Sequence, residues 1–275
     1  MLYLIATPIG NLKDITYRAV ETLNSSDYIL CEDTSHSHPL LKTYNIKKPL
    51  YSYHKFNEAK QVEKIIEDLK KGLNISLISD AGTPGICDPG QRLVLRCIEE
   101  DLPYTALPGP CAAIMALTLT GKSEEHFQFI GFLPKKDAEL KTILQELRYY
   151  KGISICYESP HRILKTLKIL SDLDENLPLS VARELTKMFE ECKNGPAKAL
   201  LTYYTEHPPR GEIVLLISGA PKVEDFQSLS IKEHVEILEK TGLPLKDAIK
   251  AVATLRNIPK KHVYNTIHQE KQEGK

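Results

Sequence analysis

The chain has 275 residues, and its 36 lysines and arginines balance 36 aspartates and glutamates. A chain of this length buries a sizeable core as one large domain or two small ones. Zero formal charge excludes a global field drawing the protein onto nucleic acid or an anionic membrane, so any such contact must come from a local patch.

No apolar run reaches bilayer-spanning length. The opening Met1-Leu2-Tyr3-Leu4-Ile5-Ala6 stops at Thr7-Pro8 without a basic leader, so a cytoplasmic location and no membrane partner are expected. The six cysteines, at 31, 87, 97, 111, 156 and 192, include no Cys-x-x-Cys pair. They read as reduced, mostly buried small hydrophobes, with no metal site.

In chain order, short apolar runs alternate with segments of helical period, the pattern of βαβ units and a largely parallel sheet. Strands are predicted at Tyr3–Ala6, Tyr28–Cys31, Leu50–His54, Asn74–Ser79 and Tyr104–Leu107. Val62, Ile65, Ile66 and Leu69 recur at helical spacing, with Asn57 placed to cap that helix and Gly72 to end it. A polar break at 120–125 opens a second block with strands predicted at Phe127–Leu133, Ile153–Tyr157, Leu179–Arg183, Ala199–Tyr203 and Glu212–Ser218. Its helices carry the stripes Leu140, Ile143, Leu144, Leu147 and Ile163, Leu164, Leu167, Leu170. After Gly219-Ala220-Pro221-Lys222 a polar linker leads to a helical tail, where Leu245, Ala248, Ile249 and Val252 form one stripe and Val263 and Ile267 another. The expected division is 1–121, 122–220 and 221–275: two α/β domains and a small helical module.

The strand-end loops carry the chemistry. The dinucleotide and P-loop glycine patterns are both missing from the sequence, which disfavours the common nucleotide folds. Ser79 to Gly90 reads SDAGTPGICDPG, glycine-rich but with two carboxylates and no lysine. A carboxylate where a strand runs out sits where α/β sheets hold ligands, and it repels phosphate while accepting hydroxyls, amines and cations. Asp88 and Pro89 alternatively read as the N-cap and first residue of a helix. Leu107-Pro108-Gly109-Pro110-Cys111-Ala112-Ala113 is a rigid turn followed by small side chains, suited to close approach by a flat ligand or to tight packing. Tyr157-Glu158-Ser159-Pro160-His161-Arg162 and Arg183-Glu184-Leu185-Thr186-Lys187 each gather acid and cation at a strand end, as an active site or as an ion-pair network.

These segments, with ATPIGNLKDIT at 6–16, CEDT at 31–34, GFLPKK at 131–136 and GEIVLLI at 211–217, resemble the tetrapyrrole methylase superfamily of S-adenosylmethionine-dependent methyltransferases. The resemblance spans nearly the whole chain in order. It implies a homodimer of two-domain subunits with the cofactor, S-adenosyl-L-methionine, folded into the cleft between the halves. It implies 2'-O-methylation of a cytidine ribose in the decoding region of small-subunit ribosomal RNA, naked or in the assembled subunit. Methylation of a corrin or porphyrin precursor, or a non-catalytic RNA-binding scaffold, are the alternatives.

The cofactor residues so implied are Pro8, Asp80, Ala81, Gly82, Ile86, Cys87, Asp88, Pro108, Ala112 and Ala113 in the first half. The second half supplies Phe132, Tyr157 and Ala182. One loop departs from the family pattern: Ser35-His36-Ser37-His38-Pro39 stands where an arginine and a threonine are expected after CEDT.

Methyl transfer from a sulfonium needs no metal; it needs in-line alignment and a base for the ribose hydroxyl. Glu184 and Glu158 are the candidate bases, with Lys187 and Arg183 to hold phosphate or steady developing charge. From Thr241 onward seven basic residues face three acidic ones, so Lys246, Lys250, Arg256, Lys260 and Lys261 form the expected RNA arm.

Overall fold

A computed structural model of the chain describes residues 1–121, 126–219, 229–240 and 242–273. It divides into two compact units, Met1–Gly219 and Ala220–Lys275.

The first half of the larger unit holds strands β1 (Leu2–Ile5), β2 (Tyr28–Cys31), β3 (Leu50–Ser52), β4 (Ile75–Ile78) and β5 (Tyr104–Leu107). They form one parallel sheet in the order β3-β2-β4-β1-β5. Helices α1 (Tyr17–Ser25), α2 (Thr34–Thr43), α3 (Glu58–Lys70), α4 (Gln91–Glu99) and α5 (Ala112–Leu119) connect or follow these strands. Side-chain alternation sorts two cores. Leu2, Leu4, Leu30, Ile75 and Leu77 meet α3 and α4 on one face, while Ile5, Ile29, Cys31 and Ile78 meet α1 and α2 on the other. A sheet covered on both faces requires near-continuous apolar strands, and Ile75–Ile78 is buried throughout.

The second half holds β6 (Phe127–Phe132), α6 (Asp137–Leu147), β7 (Ile153–Glu158), α7 (Ile163–Leu173), β8 (Pro178–Arg183), β9 (Glu191–Pro196), α8 (Ala197–Glu206) and β10 (Ile213–Ser218). Its sheet runs β6-β7-β10-β8-β9 and is mixed: only β6 and β7 pair in parallel, and the other pairings are antiparallel. The expectation of a largely parallel sheet therefore holds for the first half alone. Helices α6, α7 and α8 cover one face. Helix α5 of the first half covers the other, Ala113 and Ala116 packing with Ile153, Ile155, Ala182, Val214 and Leu216.

Two local expectations fail and one strand went unread. Ala199–Tyr203 lies inside α8, because Ala197, Leu200 and Tyr204 bury one helical face and the aromatic pair at 203–204 only mimics a strand. The strand β9, Glu-Cys-Lys-Asn-Gly-Pro, has almost no apolar signal; it pairs on one side only, at the sheet edge, where Gly and Pro are tolerated. Asn57 precedes α3 without capping it; its amide instead accepts from His54 N and donates to Ser52 O.

In the smaller unit α9 (Ile231–Lys240), α10 (Leu245–Leu255) and α11 (Lys260–Glu273) surround a core of Val235, Leu238, Ile249, Val252 and Val263. Helix α9 falls in the part of the chain expected to be linker or tail. Residues 122–125 of the predicted break and 220–228 of the predicted linker lie outside the described residues.

Candidate active site

The parallel sheet delivers the loops after β1, β2, β4 and β5 to its carboxyl edge, and hydrogen bonds tie them together there. Thr7 and Gly82 exchange backbone bonds at 2.9 and 3.0 Å, and Thr7 Oγ1 donates to Ser79 O at 3.0 Å. Gly82 sits at φ +76, a conformation glycine adopts without strain. Both of its backbone polar groups thus join its loop to the one after β1. Asp80 Oδ1 accepts from Asp33 N at 3.3 Å, and Thr83 Oγ1 donates to Pro110 O at 3.4 Å.

The capping role read for Asp88-Pro89 is filled otherwise. Helix α4 starts at Gln91 with Gly90 at its cap, φ +140; a Cβ there would stand 2.8 Å from Leu77 Cδ2. Asp88 instead lies beside two other carboxylates. Burial chiefly, then the charges of Glu32 and Asp80, push its pKa up to about 6, with Lys55 opposing. A carboxyl group at that pKa exchanges a proton near neutrality.

The second half meets this loop through a bulge. Between Phe129 and Gly131 the β6–β7 register slips, which puts both Phe129 and Phe132 on the face of Tyr157. Their rings meet Tyr157 edge to face at 5.0 and 5.4 Å. A Cβ on Gly131 would come 3.4 Å from Cys87 Sγ. The Tyr157 hydroxyl is bonded by the backbone of Ala113, and burial raises its pKa. Cys87 and Asp88 from the loop after β4, Ala113 from the start of α5, and Phe132 and Tyr157 from β6 and β7 of the second sheet therefore converge. Ala112 flanks them half-buried, Ala81 is half-buried, and Pro8 and Ala182 are buried behind them. Pro108 is exposed, and Ile86 and Phe132 present apolar surface, 62% and 66% exposed. Three carboxylates, with Lys55 the one cation among the influences on Asp88, suit a ligand bearing positive charge and hydroxyls rather than a phosphate.

The four residues expected to handle the acceptor part company. Alternation along β7 sends Tyr157 to the α5 face and Glu158 to the opposite face, where it is 3% exposed. There it accepts from Thr166 Oγ1 at 2.8 Å and from Ser159 N at 2.9 Å, with Arg162 3.5 Å away. Glu158 is committed to anchoring α7. Arg183 likewise turns toward α8, its Nε 2.8 Å from Glu191 Oε2, and Tyr203 and Tyr204 donate to the same carboxylate. Glu184 and Lys187 stay together at 3.0 Å, Lys187 also reaching Glu212 at 3.0 Å. The Lys187 ammonium and the Glu212 N–H outweigh burial and hold the Glu184 carboxyl below its usual range.

Sequence reading missed how this loop is seated. Glu184 and Thr186 both have left-handed backbones, φ +51 and +66. Thr186 Oγ1 accepts from Asn11 N at 3.0 Å, and a Cβ on Gly10 would lie 2.6–2.8 Å from Lys187 Cγ, Thr186 Oγ1 and Leu185 O. Gly211, at φ +81, leaves room for the Glu184 carboxylate in the same way. Strained non-glycine residues held by surrounding contacts cluster at functional sites; Gly10 and Gly211 were the legible signals. In the smaller unit Lys246, Lys250, Lys260 and Lys261 are exposed. Arg256 turns inward to His234 Nδ1, Leu229 O and Ser230 O at 2.8–3.1 Å, so its guanidinium is occupied by its own unit.

Two α/β halves, one with a parallel sheet and one with a mixed sheet, that meet where Asp88, Ala113 and Tyr157 come together define a class of two-sheet α/β folds. The sequence model of the tetrapyrrole (corrin/porphyrin) methylases matches residues 1–201, and the chain belongs to that family. Three relatives called ribosomal RNA small subunit methyltransferase I are similar over almost their whole length. That of Halalkalibacterium halodurans is 42% identical, covering 98% of this chain and 95% of the relative. Those of Haemophilus influenzae and Bacillus subtilis are 44% and 40% identical, covering 96% and 98% of this chain and 95% and 94% of theirs. Among solved structures, a cobalt precorrin-4 methyltransferase aligns with TM-score 0.60 at 16% identity, over 78% of this chain and 93% of that one. A uroporphyrin-III-C-methyltransferase from Thermus thermophilus aligns with TM-score 0.54 at 18% identity, again over 78% and 93%. These two likenesses concern the fold.

Proposed function

We propose that the protein transfers a methyl group from S-adenosyl-L-methionine to small-subunit ribosomal RNA, at the 2'-hydroxyl of a cytidine, as a homodimer. The substrate class is supported by relatives named for it at 40–44% identity along the full chain. The cofactor is supported by family membership and by the fit of its sulfonium, amine and ribose diol to a wall carrying Glu32, Asp80 and Asp88. When bound, it supplies an activated methyl group.

The observation that carries the chemistry is Asp88: a carboxyl tuned to about 6, in the loop that meets Phe132 and Tyr157. A proton acceptor near the working pH raises the rate about 100- to 10,000-fold. We assign the proton of the ribose hydroxyl to Asp88 Oδ. Glu184 is a weaker base because its partners favour its ionised, hydrogen-bonded form; we assign the Glu184–Lys187 pair to holding the loop against Gly10. Phe129 and Phe132 pack on Tyr157 and give this side of the site an apolar surface.

Mass spectrometry of ribosomal RNA from cells lacking the gene tests this reading, as does methyl incorporation by the purified protein into small subunits from those cells. A fully methylated ribosomal RNA in the deletion strain sinks it. Incorporation into a corrin or porphyrin precursor would move the substrate to the tetrapyrrole branch, and no cofactor binding in calorimetry would leave only a scaffold. Light scattering checks the dimer.

A further inference from the structure

Beside Asp88, on the side of α3 and α4, lies a concavity of ≈ 330 Å³ whose wall includes Lys55, Asp88, Gln91, Arg92 and Leu95. Lys55 reaches it from the short loop between β3 and α3. That loop is held firmly: His54 N donates to Asn57 Oδ1 at 2.8 Å, Phe56 N to His54 Nδ1 at 3.2 Å, and Asn57 and Gln61 both donate to Ser52 O. Its tip nonetheless presents Phe56 with 93% of its surface in water, touched by His54 edge to face at 5.9 Å. Lys55 is exposed and has no ion pair within 4.0 Å among the described residues. Arg92 has one loose pair, 3.9 Å to Glu58 at the same concavity, with half its side chain exposed.

An exposed aromatic next to Lys55, at a concavity that Lys55 shares with Arg92, suits single-stranded nucleic acid, the ring stacking a base and the cations meeting phosphates. A copy of this chain would be better matched by a broader apolar face than by one phenyl ring among charges. Glu58 and Asp88 in the same lining repel phosphate, so the phosphates belong beside Lys55 and Arg92 and a ribose beside the carboxylates.

We propose that Lys55, Phe56 and Arg92 form a subsite for one unpaired nucleotide of the RNA, its base stacked on Phe56 and its backbone led toward Asp88. The inference rests on the RNA reading above and names how the strand enters the site. None of these three residues is drawn from the motifs that resemble the family.

The test uses the full-length protein and small ribosomal subunits purified from cells lacking the gene. Phe56→Ala should raise the KM for subunits about tenfold, Phe56→Tyr should restore it to within about threefold, and the calorimetric Kd for S-adenosylmethionine should not move. Lys55→Ala combined with Arg92→Ala should lower the slope of log affinity against log salt by about 1.5–2, with thermal unfolding checking that the variant folds. Active wild type with the KM and salt slope unchanged in all variants overturns the subsite and leaves the parent reading standing. Wild type that methylates no subunits overturns both. A Phe56→Ala protein that halves in mass by light scattering, with the salt slope of Lys55→Ala/Arg92→Ala unchanged, assigns the loop to a second copy of the chain and overturns the subsite.

Discussion

Replacing Gly211 by alanine should injure the loop at 184–187 from behind. The new Cβ would stand 1.9 Å from Glu184 Oε1 and 2.2 Å from its Cδ, so the carboxylate must leave, losing its bonds from Lys187 Nζ at 3.0 Å and Glu212 N at 3.2 Å. Those bonds involve charge but are partly wetted, the Glu184 side chain being 20% exposed. Their loss costs about 1–2 kcal/mol. Forcing an L residue to φ +81 adds about 1–2 kcal/mol. The sum, about 2–4 kcal/mol, lowers the unfolding temperature of a unit this size by about 5–12 °C. Gly72→Ala is the control, because Gly72 has φ +90 and nothing within 4 Å of its built Cβ; it should show the backbone share alone. In a Glu184→Ala background, Gly211→Ala should likewise shrink to the backbone share, since the two residues are coupled only by the clash. Scanning calorimetry or circular dichroism reads all four proteins. Equal losses from Gly211→Ala and Gly72→Ala, or no coupling with Glu184→Ala, would refute the argument.

The raised pKa of Asp88 makes the folded protein bind a proton that the unfolded chain has released, so between about pH 4 and pH 6 stability falls as pH rises. Asp88→Asn should therefore unfold at a higher temperature than wild type at pH 7.5 and at the same temperature near pH 3.5, while methyl transfer drops at least 100-fold. Wild-type kcat/KM should climb through pH 6 and level off above it; a profile flat from pH 5 to 8 counts against Asp88 as the proton acceptor. Glu158→Gln should lower the unfolding temperature through its lost bonds to Thr166 and Ser159 yet leave kcat within about threefold of wild type at permissive temperature; selective loss of kcat would return Glu158 to the cleft chemistry. Arg256→Ala should destabilise the smaller unit without lowering the salt slope of RNA binding, whereas Lys260→Ala with Lys261→Ala should lower that slope by about 1.5–2; the reverse pattern sinks the basic-arm reading.

Strand ends and their loops were readable because apolar runs next to Gly, Pro and Asp are a local signal, and Tyr28–Cys31 and Tyr104–Leu107 have the expected boundaries. The two α/β halves followed from the same pattern. Strand direction in the second sheet did not, since antiparallel pairing of β8, β9 and β10 is set by where connections return and leaves no mark in any one strand. Glu158 and Arg183 looked catalytic because sequence places them at strand ends without saying which face each occupies. Counting from Tyr157 and Ala182, each is one residue onward, and one residue is the difference between the cleft and the helical layer. Asp88 stood out in its loop; its raised pKa did not, because burial and the charge of Glu32, which comes from a second loop, act on it only after folding.

Helix α5 begins at the turn after β5 but covers the sheet of the second half. On the ribosome, Ala112–Leu119 emerges roughly a hundred residues before β10 completes that sheet, a delay of about 5–20 s at ordinary elongation rates. Through that interval the face of the helix carrying Ala113, Met115, Ala116 and Leu117 lacks the sheet it packs on. Until β10 is made, that apolar face of the first half stays without its native cover.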